Sequence, residues 1–307
     1  MSKTRAVQDK IASVGKIRKI TSAMQIVALT RLRKTEQQTL DARPYFEKIR
    51  ELLFEVKITS NFDRHPLLAE RNKKTPAAII ALGSDKGLCG NFNINIINKI
   101  SKLKSQYSSA QLNIIACGNK IIKTLGAMAG LKIISSYTPI DYDTLTITAD
   151  TMSNMIIQEF LNNKINSLFL VYNEFKKHII GEAKVVKLLP LEEILVGAAS
   201  GREYSPPGGG SYVTLSKEQP YYRNYIYEPE PHDVFDPLLK EYIFSQIHQV
   251  VLESRAAEEM ARMLAMKAAT DNADKMLKKL TLFYHKARQA SITSELVDII
   301  GAAEGVA

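Results

Sequence analysis

Between Pro237 and Gly301 the chain carries neither proline nor glycine. The run of about 63 residues is rich in Ala, Met, Leu, Lys and Glu, all good helix formers. It predicts one helix roughly 95 Å long at 1.5 Å per residue. Asp236 suits the cap and Pro237 the first helical position, where a missing N–H costs nothing. Ordinary globular helices have about 11–12 residues. A helix several times longer has to bury its apolar stripe against a partner of similar length.

The start of the chain offers that partner. Residues 3–43 lack proline and contain one glycine, Gly15. Val7, Ile11, Val14, Ile17, Ile20, Met24 and Val27 recur in steps of three and four, a mean step that favours left-handed supercoiling. Arg43-Pro44 predicts a kink, with Tyr45 to Lys57 helical beyond it. In the C-terminal segment Val250, Ser254, Ala257, Ala261, Leu264 and Ala268 form a matching seam of small residues. The expected arrangement is an antiparallel coiled coil made from residues 1–60 and 232–307, with a domain inserted between them. The rival is two separate helices packed on that domain.

Strand-like runs at Ala77–Leu82, Leu112–Cys117, Lys132–Tyr137, Leu168–Tyr172 and Val185–Leu189 bracket helical runs at Asn91–Gln106, Asn119–Met128 and Leu145–Asn162. Such alternation predicts a three-layer, Rossmann-like α/β domain over residues 75–195 with a largely parallel sheet. Residues 196–231 hold Pro206-Pro207, Gly208-Gly209-Gly210 and several tyrosines, and read as an extended loop leading into the long helix.

The loop Gly83-Ser84-Asp85-Lys86-Gly87-Leu88-Cys89-Gly90 sits where a phosphate cradle would. Its spacing is G-x3-G-x2-G. A dinucleotide fingerprint needs GxGxxG, and a P-loop needs Gly-Lys where this chain has Gly87-Leu88. The loop therefore reads as a turn whose glycines supply positive φ, with Lys86 exposed at its tip. No Ser-His-Asp grouping, paired-carboxylate motif or HExxH marks a catalytic centre, and neither a cofactor nor a metal is expected. Cys89 and Cys117 have no CxxC spacing, which points to a reducing compartment and no metal site, and the five singly scattered histidines read as surface or packing residues rather than ligands. No apolar run reaches the ~20 residues that span a bilayer, and the first ten residues lack the apolar core of a secretory signal.

The net charge of +9 is concentrated at the start. Residues 1–43 hold ten Lys or Arg against three acids, whereas residues 237–307 hold nine of each sign. A basic first helix implies an acidic protein, an anionic membrane or nucleic acid as partner, or a solvated face. The chain lacks tryptophan and aromatic–basic interleaving, which argues against nucleic acid.

Ile11-Ala12-Ser13-Val14 followed by Lys19-Ile20-Thr21-Ser22-Ala23-Met24 resembles the opening of the gamma subunit of F-type ATP synthases. Ser84 to Asn93 resembles that family's loop after its first strand. The most specific similarity lies in Ala261-Arg262-Met263, in Ala265-Met266-Lys267-Ala268-Ala269-Thr270-Asp271-Asn272-Ala273, and in Lys286-Ala287-Arg288-Gln289-Ala290-Ser291-Ile292-Thr293. The resemblance thus covers nearly the whole chain. Three departures stand out: Gly15-Lys16-Ile17-Arg18, Asn91 in place of a frequent glycine, and a long 197–224 loop. That loop has no cysteine, so the dithiol switch of the plastid form is not expected.

The resemblance implies a non-catalytic rotor shaft coupling ion-driven rotation of a membrane ring to ATP synthesis or hydrolysis at the beta subunits. It implies alpha, beta and epsilon subunits and the membrane c-ring as partners. It implies no nucleic acid, no membrane insertion, and a peripheral position on the cytoplasmic side of a bacterial membrane. It puts Met24, Arg262, Gln289, Thr293 and Glu295 at beta-subunit contacts, and Tyr225, Tyr227, Glu228 and Lys86 toward epsilon or the ring.

Overall fold

The computed structural model describes residues 2–59, 65–71, 75–107, 112–139, 144–176, 179–191 and 228–304. The elements are α1 (Ser2–Thr59), β1 (Ala77–Leu82), α2 (Phe92–Gln106), β2 (Leu112–Cys117), α3 (Asn119–Gly126), β3 (Lys132–Tyr137), α4 (Leu145–Leu161), β4 (Ser167–Lys176), β5 (Ile179–Leu189) and α5 (Pro231–Glu304). The chain divides into two compact units, residues 31–261 and residues 1–30 with 262–307. Tyr225, Tyr227 and nearly all of the 196–231 loop lie outside the described residues.

Residues 31–261 are built on a five-stranded sheet in the order β3-β2-β1-β4-β5. The first four strands run parallel and β5 returns antiparallel to β4. A parallel sheet needs cover on both faces, and every residue of β1 is buried. On one face α2 and α3 bury Phe92, Ile96, Ile100, Ile121 and Leu125 against Ile79, Ile114 and Ala116. On the other, α4 joins the end of α1 (Ile49, Leu53, Val56) and the start of α5 (Phe235 to Leu252) over Ile80, Ile115 and Leu170. This is the expected three-layer domain. β4 and β5 are longer than the apolar runs that announce them, because Asn173, Glu174, Glu182 and Lys184 lie within the antiparallel pair.

Two prolines do not break their helices. α1 runs through Pro44 without interruption. Its missing N–H frees the carbonyl of Leu40, and both residues are exposed, so water can satisfy that group. α5 begins at Pro231, six residues before the expected start, and holds Pro237 inside. Asp236 is not a cap there; it pairs with His65 Nε2 at 2.9 Å.

Of the expected C-terminal seam, Val250 packs in the core that holds the end of α1, but the middle turns to the sheet. Ser254 Oγ donates to the Leu82 carbonyl at 3.3 Å, and Ala257 and Ala261 pack in the core shared by α2, α3 and the sheet. Small side chains here let α5 lie close to the sheet. Ala268, the last seam position, is exposed. In this unit α1 and α5 meet through Arg31–Glu259 at 3.8 Å, Tyr45 Oη to Glu241 Oε1 at 2.6 Å and the edge contact of Phe46 with His248. The order is antiparallel.

In the other unit, residues 2–30 and 262–304 form an antiparallel helix pair. Arg18 pairs with Asp274, and the Thr21 and Thr270 hydroxyls are 2.8 Å apart. The face of α1 that is covered or paired runs Val7, Ile11, Val14, Arg18, Thr21, Gln25, Ala28. Its steps are four, three, four, three, the coiled-coil heptad. On α5 Met266, Thr270, Ala273, Leu277, Leu280, Tyr284 and Ala287 repeat the same spacing. The expected stripe is therefore right to Val14 and one residue out of phase beyond it. Ile17, Ile20, Met24 and Val27 are 41–57% exposed.

Candidate functional site

That displaced stripe is the first notable surface. Four large apolar side chains at steps of three and four lie uncovered on α1, with Lys16, Lys19 and Arg33 exposed on the same helix. The face turned to α5 instead uses Arg18, Thr21 and Gln25, and α5 answers with Asp274 and Thr270. Near its far end α5 exposes Ile292, Leu296, Val297, Ile299 and Ile300. Contiguous uncovered apolar side chains of this size mark interaction surfaces.

The residues expected to touch a partner fall at separate places. Met24 belongs to the exposed stripe. Arg262 is half-buried and already engaged by another group. Gln289 and Thr293 are exposed one turn apart, Thr293 Oγ1 donating to the Gln289 carbonyl at 2.9 Å. They stand about 40 Å from Arg262 along α5 at its 1.5 Å rise. Glu295 is in α5, with its side chain outside the described residues. Glu228 is exposed just before α5, and Lys86 is exposed on the loop after β1.

That loop differs from the expected turn. Gly83 is required by close approach: a Cβ there would meet Ile121 Cβ at 2.4 Å. Of the three loop glycines only Gly90 has positive φ, and Leu88 itself takes the left-handed conformation at φ 65°. The loop is held by its own side chains. Ser84 N–H donates to Asn93 Oδ1 at 3.0 Å, and Asn93 Nδ2 donates to Ser84 Oγ at 2.7 Å. Asp85 Oδ1 accepts the backbone N–H of Asn119 and the Thr138 hydroxyl at 3.1 and 3.0 Å. The N-terminus of α3, an inherent anion site, is thus filled by the chain's own carboxylate, which would repel a phosphate.

Asp85 leads to a group of buried charges that sequence reasoning missed. Arg255 Nη2 meets Asp85 Oδ2 at 3.1 Å, and Arg255 Nη1 meets Glu258 Oε2 at 2.6 Å. Burial opposes the Arg255 charge, yet Glu258 and Asp85 outweigh it and hold the guanidinium above its ordinary range. Burial pushes the Cys117 thiol up to about 12, with Asp85 raising it further and Arg255 opposing. Two residues before Arg255, Glu253 accepts the Phe175 N–H at 3.1 Å. Burial drives its carboxyl up to about 8; the Phe175 N–H opposes this, Glu174 adds to it, and Lys184 opposes. Lys184 itself pairs with Glu174. The available signal was three acids and an arginine inside the apolar run Val250–Ala261, residue types that enter a core only with partners.

These groups tie α5 to the sheet. Among the described residues no cluster of three or more His, Cys, Asp or Glu side chains could hold a metal. No helix among them is long and apolar enough to cross a membrane. A calorimetric titration of the isolated chain with Mg-ATP is expected to show no saturable binding at micromolar concentration, since the loop lacks the glycine spacing of a phosphate cradle and Asp85 occupies the N-terminus of α3. A saturable heat dependent on magnesium would overturn this.

A family profile described as ATP synthase matches residues 3–306. The ATP synthase gamma chain of Laribacter hongkongensis (strain HLHK9) is 34% identical over 308 residues, covering 100% of both chains. That of Actinobacillus succinogenes is 35% identical, also over 100% of both. Among solved structures, a chain of the Euglena gracilis mitochondrial ATP synthase (OSCP/F1/c-ring, rotational state 3) aligns with a TM-score of 0.64 at 15% identity, covering 99% of this chain and 95% of that one. A chain of the Tetrahymena thermophila mitochondrial ATP synthase central stalk and c-ring aligns with a TM-score of 0.54 at 21% identity, covering 81% and 99%. At these identities the structural likenesses show a common fold.

Proposed function

Because this chain belongs to the ATP synthase gamma-chain family, we propose that its helix pair transmits torque through the uncovered stripe of Ile17, Ile20, Met24 and Val27. The subunit is the central-stalk rotor of an ATP synthase and is not itself catalytic. The stripe carries the reading: those side chains are large, exposed and regularly spaced, and their own helix partner leaves them uncovered.

A rotor biases a catalytic site only by contacting that site's conformers unequally. Apolar side chains suit this work because their attraction has no direction and lets surfaces slide. The basic residues beside them add exposed ion pairs worth about 0–1 kcal/mol each, weak enough to exchange at every step. In this reading residues 1–60 and 232–307 are the shaft within a ring of alpha and beta subunits. Met24, Arg262, Gln289, Thr293 and Glu295 meet beta subunits at successive levels. Residues 75–195, Lys86, Glu228 and the 196–231 segment with Tyr225 and Tyr227 face epsilon and the membrane c-ring. The subunit is peripheral to the membrane on its cytoplasmic side, in a complex driven by ion flow.

The test pairs Gln289→Ala with Arg262→Gln, which keeps most of the arginine stem in place. The free subunit is expected to melt as the parent does. The reconstituted complex is expected to lose about two- to fivefold in both ATP synthesis and hydrolysis, the size of one or two weak polar contacts. Full activity in the double variant, or unfolding of the free subunit, would remove these residues from the rotor surface.

A further inference from the structure

From Lys86 to Pro139 the chain carries seven lysines and no arginine, aspartate or glutamate. Five of them lie on α2 (Lys99, Lys102, Lys104) and α3 (Lys120, Lys123), neighbouring helices on one face of the sheet. Lys104 donates to the Ala129 carbonyl just beyond α3, joining the two helices. Lys86, Lys102, Lys120 and Lys123 are exposed and Lys99 is half-exposed, and none of these five forms an ion pair among the described residues. Asp85, the acid nearest in sequence, is already committed to Arg255 and the start of α3. At one end of the face Leu88 and Ile94 stand 59% and 54% exposed.

We propose that the α2–α3 face is a docking surface for an acidic polypeptide segment of another protein. Unpaired like charges repel one another, and an incoming row of carboxylates relieves that repulsion while forming new pairs. Lysine supplies compact, mobile point charges suited to carboxylates that shift position, whereas arginine forks would favour fixed bidentate partners such as phosphates. Among the described residues, α2 and α3 expose no aromatic side chain of the kind that stacks bases on a single-strand nucleic-acid platform. Its apolar residues sit at the start of α2 while the α2 lysines extend about 10–15 Å along the helix from there. That layout fits an elongated acidic segment with an apolar residue at one end better than a flat bilayer.

The probe is a glutamate-rich peptide carrying a photoreactive leucine at one end, titrated into the full-length chain. Expected are saturable binding that weakens with salt and crosslinks on Leu88, α2 and α3. Lys99→Gln, Lys102→Gln, Lys120→Gln and Lys123→Gln together are expected to weaken binding about tenfold and abolish those crosslinks, with unchanged melting. Replacing Lys16 and Lys19 of α1 by Gln is expected to leave the crosslinks in place. Crosslinks confined to α1, undiminished binding by the fourfold variant, or capture of phosphatidylserine vesicles or single-stranded DNA in preference to the peptide would each overturn the proposal.

Discussion

Arg255→Ala is expected to lower the stability of the unit formed by residues 31–261 by about 3–5 kcal/mol, the cost of removing one partner from a buried ion network. The guanidinium is 15% exposed and the Glu258 carboxylate 2%. Without it the Glu258 carboxylate loses the guanidinium at 2.6 Å and Asp85 loses it at 3.1 Å, while Asp85 keeps the Asn119 N–H and the Thr138 hydroxyl. The loss comes from charge rather than volume. Arg255→Met, which fills much of the same space, should therefore cost nearly as much. Adding Asp85→Asn and Glu258→Gln to Arg255→Met removes the two carboxylate charges that faced the guanidinium and should recover most of the loss. Urea unfolding reports the outcome as a shift in midpoint at constant slope. Stability of Arg255→Met within about 0.5 kcal/mol of the parent, the range of an ordinary surface change, would show that the network holds nothing.

Glu253→Gln is expected to stabilise the protein at alkaline pH and flatten its pH dependence. The carboxyl is pushed from 4.5 to about 8 in the fold. Between those values the folded chain binds a proton that the unfolded chain releases. The associated stability is complete below pH 4.5 and is lost as pH rises through about 8. The slope reaches about 1.4 kcal/mol per pH unit when one group dominates. The groups acting on Glu253 are Glu174 and Lys184, from the paired strands β4 and β5, and the Phe175 N–H. His248 works in the opposite sense. Burial lowers its pKa from 6.5, so its contribution is present above 6.5 and lost as pH falls. The difference between parent and Glu253→Gln therefore isolates the glutamate. Parallel stability curves for the two proteins from pH 5 to 9 would mean that Glu253 is ionised in the fold.

Both networks matter to a torque-bearing subunit because they fasten α5 to the sheet. Ser254, Arg255 and Glu253 occupy consecutive positions on that helix and bind Leu82, Asp85 and Phe175 respectively. A helix held at three points by directional bonds resists rotation about its own axis better than one held by apolar packing alone.

Local chemistry was enough to announce the elements, though not the run of α1 through Pro44, the early start of α5 or the full lengths of β4 and β5. Freedom from proline and glycine marked α5, and runs of β-branched and aliphatic residues gave β1, β2 and β3 at their observed bounds. Those features act within a few residues and need no partner. The family signature in Ala261–Ala273 and Lys286–Thr293 was equally local. Which face of each helix turns inward was decided by tertiary structure. On α1 the residues at 17 and 18, 20 and 21, and 24 and 25 lie about 100° apart, so an apolar stripe and the true seam differ by one position. Hydrophobicity favours Ile17, Ile20 and Met24 for the interior. The fold chooses Arg18 and Thr21 because Asp274 and Thr270, some 250 residues away in sequence, are there to meet them. The same holds for Arg255, whose partner Asp85 lies 170 residues earlier. A buried charge is stable only beside its counter-charge, and that pairing exists only once the chain has closed on itself.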